Sequence, residues 1–430
     1  MTHPVPPTPQ THALMIGDFS ARSLIQRFGS PLYVMDEALI RSKMRLYKNS
    51  FTHSDFTTTI TYAGKAFLTK AMVQITHQEG LSLDVVSLGE LMTALSVNFP
   101  VERVVMHGNN KSVEELQAVI DANIGLLVLD NPDELQRLLR LQPQHRIPVL
   151  LRVNPGIEAH THDYIKTATP DSKFGMSLCD PATFTFLREL ADHPLIDLQG
   201  LHCHIGSQIQ SLDAYLETVD VLLDTLQTLS LSGLNLHTLN LGGGFGARYL
   251  DSDPVLDLPV LLKQLAEAIA TGCRQRQLTL KRVILEPGRS IVAEAGTTLY
   301  TVGSIKTTIT GKTYVMVDGS MADHLRTALY QAQYSALAAE KLGEPHDQLV
   351  TIAGKACESG DILIHQAKLP ALSEGDLIAV KSTGAFHYSM ASNYNRLLKP
   401  AGVMVNGSKA RVIVIRETIK DLLRNDEVIA

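Results

Sequence analysis

Eight times between Thr57 and Glu286 the chain runs through a short β-branched or leucine-rich stretch and stops at a polar residue or a glycine. The runs begin at Thr57, Leu81, Val104, Gly125, Pro148, Leu198, Leu236 and Lys281. They end near Lys65, Ser87, Gly108, Asn131, Asn154, Ser207, Gly244 and Glu286. Amphipathic segments of helical period fill the gaps. Ser112-Val113-Glu114-Glu115 reads as a capping box opening Leu116 to Ala122, Pro132-Asp133-Glu134 opens the next helix, and Ser211 to Leu229 carries an apolar stripe. Eight strand-then-helix units in roughly 250 residues match a (β/α)8 TIM-like barrel. The one long interval, Gly156 to Asp197, holds a loop around Thr167 to Met176 and then a helix, and a loop of that length is often functional.

Past Gly296 the rhythm changes. Thr298 to Thr308, Lys312 to Asp318, Leu349 to Cys357, Asp376 to Thr383 and Arg411 to Arg416 read as strands, with a helix expected only over Ala322 to Leu342. This is a mainly-β C-terminal domain. The expected α/β organisation is therefore 1–36, a tail and a strand that joins the β domain; 37–295, the barrel; and 296–430, the β domain.

A chain of 430 residues with 45% hydrophobic and 19% charged residues has room for these two domains. Its net charge of -6 speaks against a nucleic-acid partner, which calls for basic patches. No apolar run is long enough for a membrane span, and the Pro-rich start from Met1 to Ala13 has no signal-peptide core, so a cytoplasmic protein without membrane partners is expected. The four cysteines, Cys179, Cys203, Cys273 and Cys357, are too scattered for a disulfide framework or a zinc site. Cys357 sits among polar residues, which is unusual for a residue type that normally packs in cores.

Barrels carry their reactive groups where the strands end. Here those ends hold Lys65, Asp84, His107, Arg152, His202, His204, Gly242-Gly243-Gly244, Glu286 and Arg289. Lys65, read alone, is a strand-end lysine reaching solvent. The glycine run, read alone, is a tight turn, and His202 with His204 could be half of a zinc site, although no third ligand is near in sequence and no metal is expected. Together they offer a lysine for a Schiff base, backbone N–H groups that can close on a phosphate, an imidazole that can stack on a ring, and an acid to pair with a pyridine nitrogen. Those are the needs of pyridoxal 5'-phosphate.

At these residues the chain resembles the alanine-racemase-fold (fold-type III) decarboxylases that use pyridoxal phosphate. The motifs are Tyr62-Ala63-Gly64-Lys65-Ala66, Asp84-Val85-Val86-Ser87-Leu88-Gly89-Glu90-Leu91, His107-Gly108-Asn109-Asn110-Lys111, Asp171-Ser172-Lys173-Phe174-Gly175, His202-Cys203-His204-Ile205-Gly206-Ser207-Gln208, Gly242-Gly243-Gly244, Glu286-Pro287-Gly288-Arg289 and Cys357-Glu358-Ser359-Gly360-Asp361. The resemblance implies that Lys65 bonds the cofactor, His204 stacks on its ring and Glu286 pairs with its nitrogen. It assigns phosphate to Ser207, Gly243 and Gly244, and further cofactor contacts to Asp84, Gly288 and Arg289. It also implies a homodimer with shared active sites, in which Cys357, the general acid, and Glu358, the distal-amine partner, reach in from the other subunit.

The segment Asp318 to Tyr330 resembles the family's substrate strip, which gives Arg326 and Tyr330, with Arg289, to substrate. Arginines there suit a second carboxylate. The implied activity is therefore decarboxylation of meso-2,6-diaminopimelate to L-lysine and carbon dioxide, the last step of lysine biosynthesis. An ornithine, lysine or arginine decarboxylase would need an acidic distal site instead, a racemase would want a tyrosine as second base, and a non-catalytic cofactor carrier would need no general acid. The pattern is broken at Asp323 and Thr327, where the family has Asn and Pro, and at Phe386, where it has a tyrosine that serves phosphate and substrate. Tyr388 shares strand parity with Phe386 if that segment is extended, and so could supply the missing hydroxyl.

Overall fold

The computed structural model describes residues 12–157 and 172–429. By their contacts these form two compact units, one of residues 39–248 and 253–293, the other of 12–38, 249–252 and 294–429.

In the first unit the strands are β1 (Thr57–Ala63), β2 (Ser82–Val85), β3 (Val104–Met106), β4 (Leu126–Leu129), β5 (Ile147–Asn154), β6 (Ile196–His202), β7 (Thr238–Asn240) and β8 (Arg282–Leu285). Each pairs in parallel with the next, and β8 pairs with β1, with Ile284 beside Thr59, so the sheet closes on itself. A closed parallel sheet buries both faces of every strand, which is why β4 reads Leu-Leu-Val-Leu and is buried throughout. Val105, Leu126, Val128, Leu150 and Ile284 pack together as one core cluster.

The connecting helices start where the sequence marks them. Ser112 and Glu115 form a reciprocal capping box on Val113–Ala122, and the Asn131 side chain accepts from Glu134 N to cap Pro132–Arg140. The loop foreseen at 167–176, with Asp171 of its motif, lies outside the described residues as far as 171. Beyond it come the two-residue strand Met176–Ser177, paired with β5, and the helix Pro181–Asp192.

The second unit is built on Gly296–Thr307. Its first half pairs with Leu32–Asp36 and with Leu377–Lys381, and its second half with Thr313–Val317. The sheet extends on one side through Gln348–Ala353 to Ile362–Leu369 and on the other through Ala401–Asn406 to Lys409–Val414. Two apolar clusters fill it, one around Leu32, Val34, Leu299 and Val403, the other around Tyr300, Val315, Ile352 and Val380.

The helix expected over Ala322 to Leu342 is only Leu325–Tyr330. Gln331 takes a left-handed conformation at φ 53, the chain turns, and Ala336–Ala338 becomes a strand. Tyr334 faces back into the unit, which a continuing helix would not allow. The extended segment assumed for 386–388 is also absent. Phe386 lies at φ 64 and Tyr388–Met390 is a 3-10 turn, so the parity argument fails. Tyr388 instead packs edge-on against Tyr33, with ring centroids 6.4 Å apart.

Candidate active site

The polar ends of the barrel strands form one rim. Asp84 closes β2, His107 follows β3, Asp130 follows β4, Arg152 lies near the end of β5, His202 ends β6, Asn240 ends β7 and Glu286 follows β8. Lys65 stands in a single 3-10 turn after β1. Its side chain is exposed while Gly64 and Ala66 beside it are buried. The side chain therefore extends into solvent beyond the strand end.

Glu286 anchors this rim. Its Oε1 accepts from Asn240 Nδ2 at 2.7 Å and lies 2.9 Å from His107 Nε2, and its Oε2 lies 3.2 Å from His202 Nε2. Burial opposes ionisation here, but the two imidazoles outweigh it and hold Glu286 well below the usual carboxylate range. Asp84 lacks such support. Among the described residues its Oδ1 is buried without a hydrogen-bond partner, with His107 Nε2 3.8 Å away, and burial pushes its carboxyl up to about 6. The ligating atoms of His107, His202 and Glu286 lie within 4.8 Å of one another, a spacing a metal ion could span. Both Nε2 atoms are already engaged with Glu286, so an ion there would have to displace these contacts.

His204 accepts the N–H of Gly243 at its Nδ1, 3.2 Å away, so that nitrogen carries no proton. Burial, with the charges of Lys65 and Arg152, keeps the ring neutral by moving its titration well below the ordinary histidine range. A neutral, anchored imidazole suits stacking on a ring. The same hydrogen bond takes the Gly243 N–H, one of the donors assigned to phosphate. The glycine run has no space for side chains: a Cβ at Gly243 would stand 2.1 Å from the Glu286 carbonyl oxygen, and one at Gly244, at φ +103, 2.5 Å from that of Gly206. Tyr215 donates to the Gly243 carbonyl, and Asn240 Oδ1 accepts from Gly242 N, so the turn is pinned on both sides. Arg289 reaches Ser207 Oγ through Nε at 3.2 Å and a terminal nitrogen at 3.0 Å. A Cβ at Gly288 would meet that of Ala63 at 2.9 Å. Closely packed glycines, a cationic arginine with a hydroxyl, a solvated lysine and an ionised acid fit the phosphate, carbonyl and ring nitrogen of pyridoxal phosphate.

The second unit holds the remaining candidates. Arg326 is buried, gives its Nε proton to the Tyr334 hydroxyl at 2.8 Å, and sets its guanidinium carbon 5.0 Å from the Tyr330 ring centre and 5.4 Å from that of Phe386. It makes no ion pair among the described residues. Phe386 thus presents a ring face to a cation where a tyrosine would offer a hydroxyl. Cys357 and Glu358 lie exposed on a loop fixed from beneath by buried Asp361, whose carboxylate accepts from Met321 N and Ala356 N. Glu358 accepts from the Tyr394 hydroxyl at 3.2 Å, and Asn395 Oδ1 accepts from Cys357 N. Asp323 is no passive replacement. It accepts from Tyr300 at 2.6 Å and Ser320 N at 2.9 Å, and burial lifts its carboxyl to about 7.

Sequence reasoning missed Asn240 and Tyr334, and it put His107 and His202 on the rim without giving either a partner. The signal for Asn240 was present: it is a polar residue closing a strand, one residue short of a glycine run.

Residues 37–293 match the family described as pyridoxal-dependent decarboxylase, pyridoxal binding domain. The chain belongs to the pyridoxal-dependent decarboxylases, a class whose barrel and cofactor-shaped rim are those described above. Within that class it falls with the diaminopimelate decarboxylases. It is 46% identical to the diaminopimelate decarboxylase of Bacillus subtilis (strain 168), over 96% of this chain and 95% of the relative. Its identity with that of Staphylococcus aureus (strain COL) is 43%, over 97% and 98%. The crystal structure of the M. jannaschii diaminopimelate decarboxylase in complex with L-lysine superposes with a TM-score of 0.90 at 31% identity, covering 97% of each chain.

Proposed function

We infer that this chain is a pyridoxal-phosphate-dependent carboxy-lyase that converts meso-2,6-diaminopimelate to L-lysine and carbon dioxide, the last step of lysine biosynthesis. The observation that carries the substrate is Arg326. A guanidinium buried between aromatic rings, with no carboxylate partner among the described residues, is costly unless an anion arrives with the ligand. Diaminopimelate brings a second carboxylate beside its distal ammonium, whereas lysine, ornithine and arginine bring a distal cation without that carboxylate.

When bound, pyridoxal phosphate supplies the electron-withdrawing ring that stabilises the charge left on the α-carbon as carbon dioxide departs. The protein's residues do the rest. Lys65, exposed after β1, would be the attachment point for the cofactor and would be within reach of solvent there. His204 would cover a ring face as a neutral imidazole, Arg289 would neutralise phosphate with Ser207 donating a hydrogen bond to it, and Glu286 would pair with the ring nitrogen. Arg326 and Tyr330 hold the distal carboxylate, Glu358 the distal ammonium, and the Cys357 thiol delivers a proton to the α-carbon. The exposed loop carrying Cys357 and Glu358 supports a homodimer in which each subunit completes its partner's site. No helix among the described residues is long and apolar enough to cross a membrane. The four free cysteines support a reducing cytoplasmic setting.

The test is carbon dioxide release by the loaded enzyme from meso-diaminopimelate, lysine, ornithine and arginine in parallel. Release from the first alone is expected. Faster release from any of the other three overturns the substrate assignment.

A further inference from the structure

A carboxylate offers about four acceptor positions, two on each oxygen. At Glu286 three are taken. Asn240 and His107 converge on Oε1, and His202 approaches Oε2. The orientation of each donor is fixed independently. Asn240 must point its NH2 at Glu286, because its Oδ1 receives the Gly242 N–H at 2.9 Å. His202 Nδ1 is buried without a hydrogen-bond partner among the described residues, so the ring proton belongs on Nε2, facing Glu286. His107 stands with Nε2 between Glu286, at 2.9 Å, and Asp84, at 3.8 Å, a place for a proton between two carboxylates.

We propose that His107, His202 and Asn240 are positioning residues that hold Glu286 as a carboxylate with one open acceptor position, on Oε2, and thereby assign the shared proton to the cofactor's ring nitrogen rather than to the acid. This rests on the functional reading above. A proton on Glu286 would take the open position on Oε2 and turn the hydrogen bonds from all three donors from charge-assisted into weaker neutral ones, so each donor weighs against it. The charged groups around the clamp are consistent with this. Asp84, in β2, favours a cationic His107 and partly balances it, while Lys65 and Arg152 add positive charge from other strand ends. Burial opposes protonation of His107, but the two carboxylates outweigh it and raise its pKa, whereas His202 is pushed down to about 3, chiefly by burial. One imidazole is thus biased toward the cation and the other toward a neutral donor.

The holoenzyme is loaded with pyridoxal phosphate carrying 15N at the ring nitrogen, and the 15N resonance is recorded in the unmodified protein, His107→Gln and His202→Gln. The unmodified protein should show the protonated position. His107→Gln should move the resonance toward the unprotonated position, because Glu286 without its cationic neighbour holds a proton more strongly, and His202→Gln should move it less. As a second readout, the dissociation constant of pyridoxal phosphate is compared with that of its analogue bearing C–H in place of the ring nitrogen. The ratio of the two constants should change by about tenfold in His107→Gln. An unchanged resonance overturns the proposal, and so does parallel weakening of both ligands, which would make the histidines packing groups only. If the unmodified protein binds no pyridoxal phosphate, the functional reading itself falls, an outcome distinct from either.

Discussion

Arg326 shows how one side chain can be held in readiness for a ligand. Its Nε is fixed by Tyr334 and its faces are covered by Tyr330 and Phe386, so the terminal nitrogens are the part left to meet an anion. Arg326→Gln should lower kcat/KM for diaminopimelate by about a hundredfold or more, since the substrate carboxylate would then be desolvated without its partner. Tyr334→Phe removes only the Nε acceptor, and a loss nearer tenfold, mainly in KM, is expected. Steady-state kinetics separate the two, and equal losses would contradict a purely orienting role for Tyr334. Asp323 makes a prediction about pH. The unfolded chain releases this proton near pH 4, roughly the model-peptide value, while the folded protein keeps it to about 7. Because the folded state binds the proton more tightly, the contribution of Asp323 to stability is greatest in acid, declines as pH rises between these values and is fully lost above them. In Asp323→Asn this decline should disappear, so melting temperatures recorded at several pH values between about 4 and 8 should trace a flatter curve than the parent protein's.

At the scale of elements, what could be read in the sequence was whatever is encoded locally. Each barrel strand announces itself through β-branched or leucine-rich residues and a polar stop, and the Ser112 capping box and Pro132 mark helix starts within four residues of sequence. Failures came where distant packing decides. The stretch after Tyr330 has helical spacing, yet Gln331 turns left-handed and Tyr334 is drawn to Arg326 and to Tyr249, 5.1 Å away between ring centroids. The partners of Glu286 lie 46, 84 and 179 positions away, and only closure of the barrel brings them together. The glycine run sits at the same junction. Gly243→Ala would force a methyl group against the Glu286 carbonyl, displacing either the β8 end or the turn after β7. The expected result is at least tenfold weaker binding of pyridoxal phosphate with the unfolding transition lowered only modestly, measured by cofactor titration and thermal melts.

At the scale of the whole molecule, a homodimer in which each subunit completes its partner's site, as proposed above, would make inactive subunits complementary. Lys65→Ala and Cys357→Ala should each be inactive alone. If subunits exchange freely, about a quarter of the sites in the mixture should be intact and activity should reappear. Exchange verified by mass spectrometry without recovered activity would rule out sharing. The strand Leu32–Asp36 has a consequence of another kind, in the order of events at the ribosome. It lies between Gly296–Thr307 and Ala401–Asn406, pairing with both, so it cannot take its place until the chain has been made as far as Asn406. At roughly 5–20 residues per second the segment waits on the order of twenty to seventy seconds after emerging, during which the barrel strands appear in sequence and can close. For that interval Leu32 and Val34 are apolar residues without their sheet, the kind of nascent segment that chaperones bind.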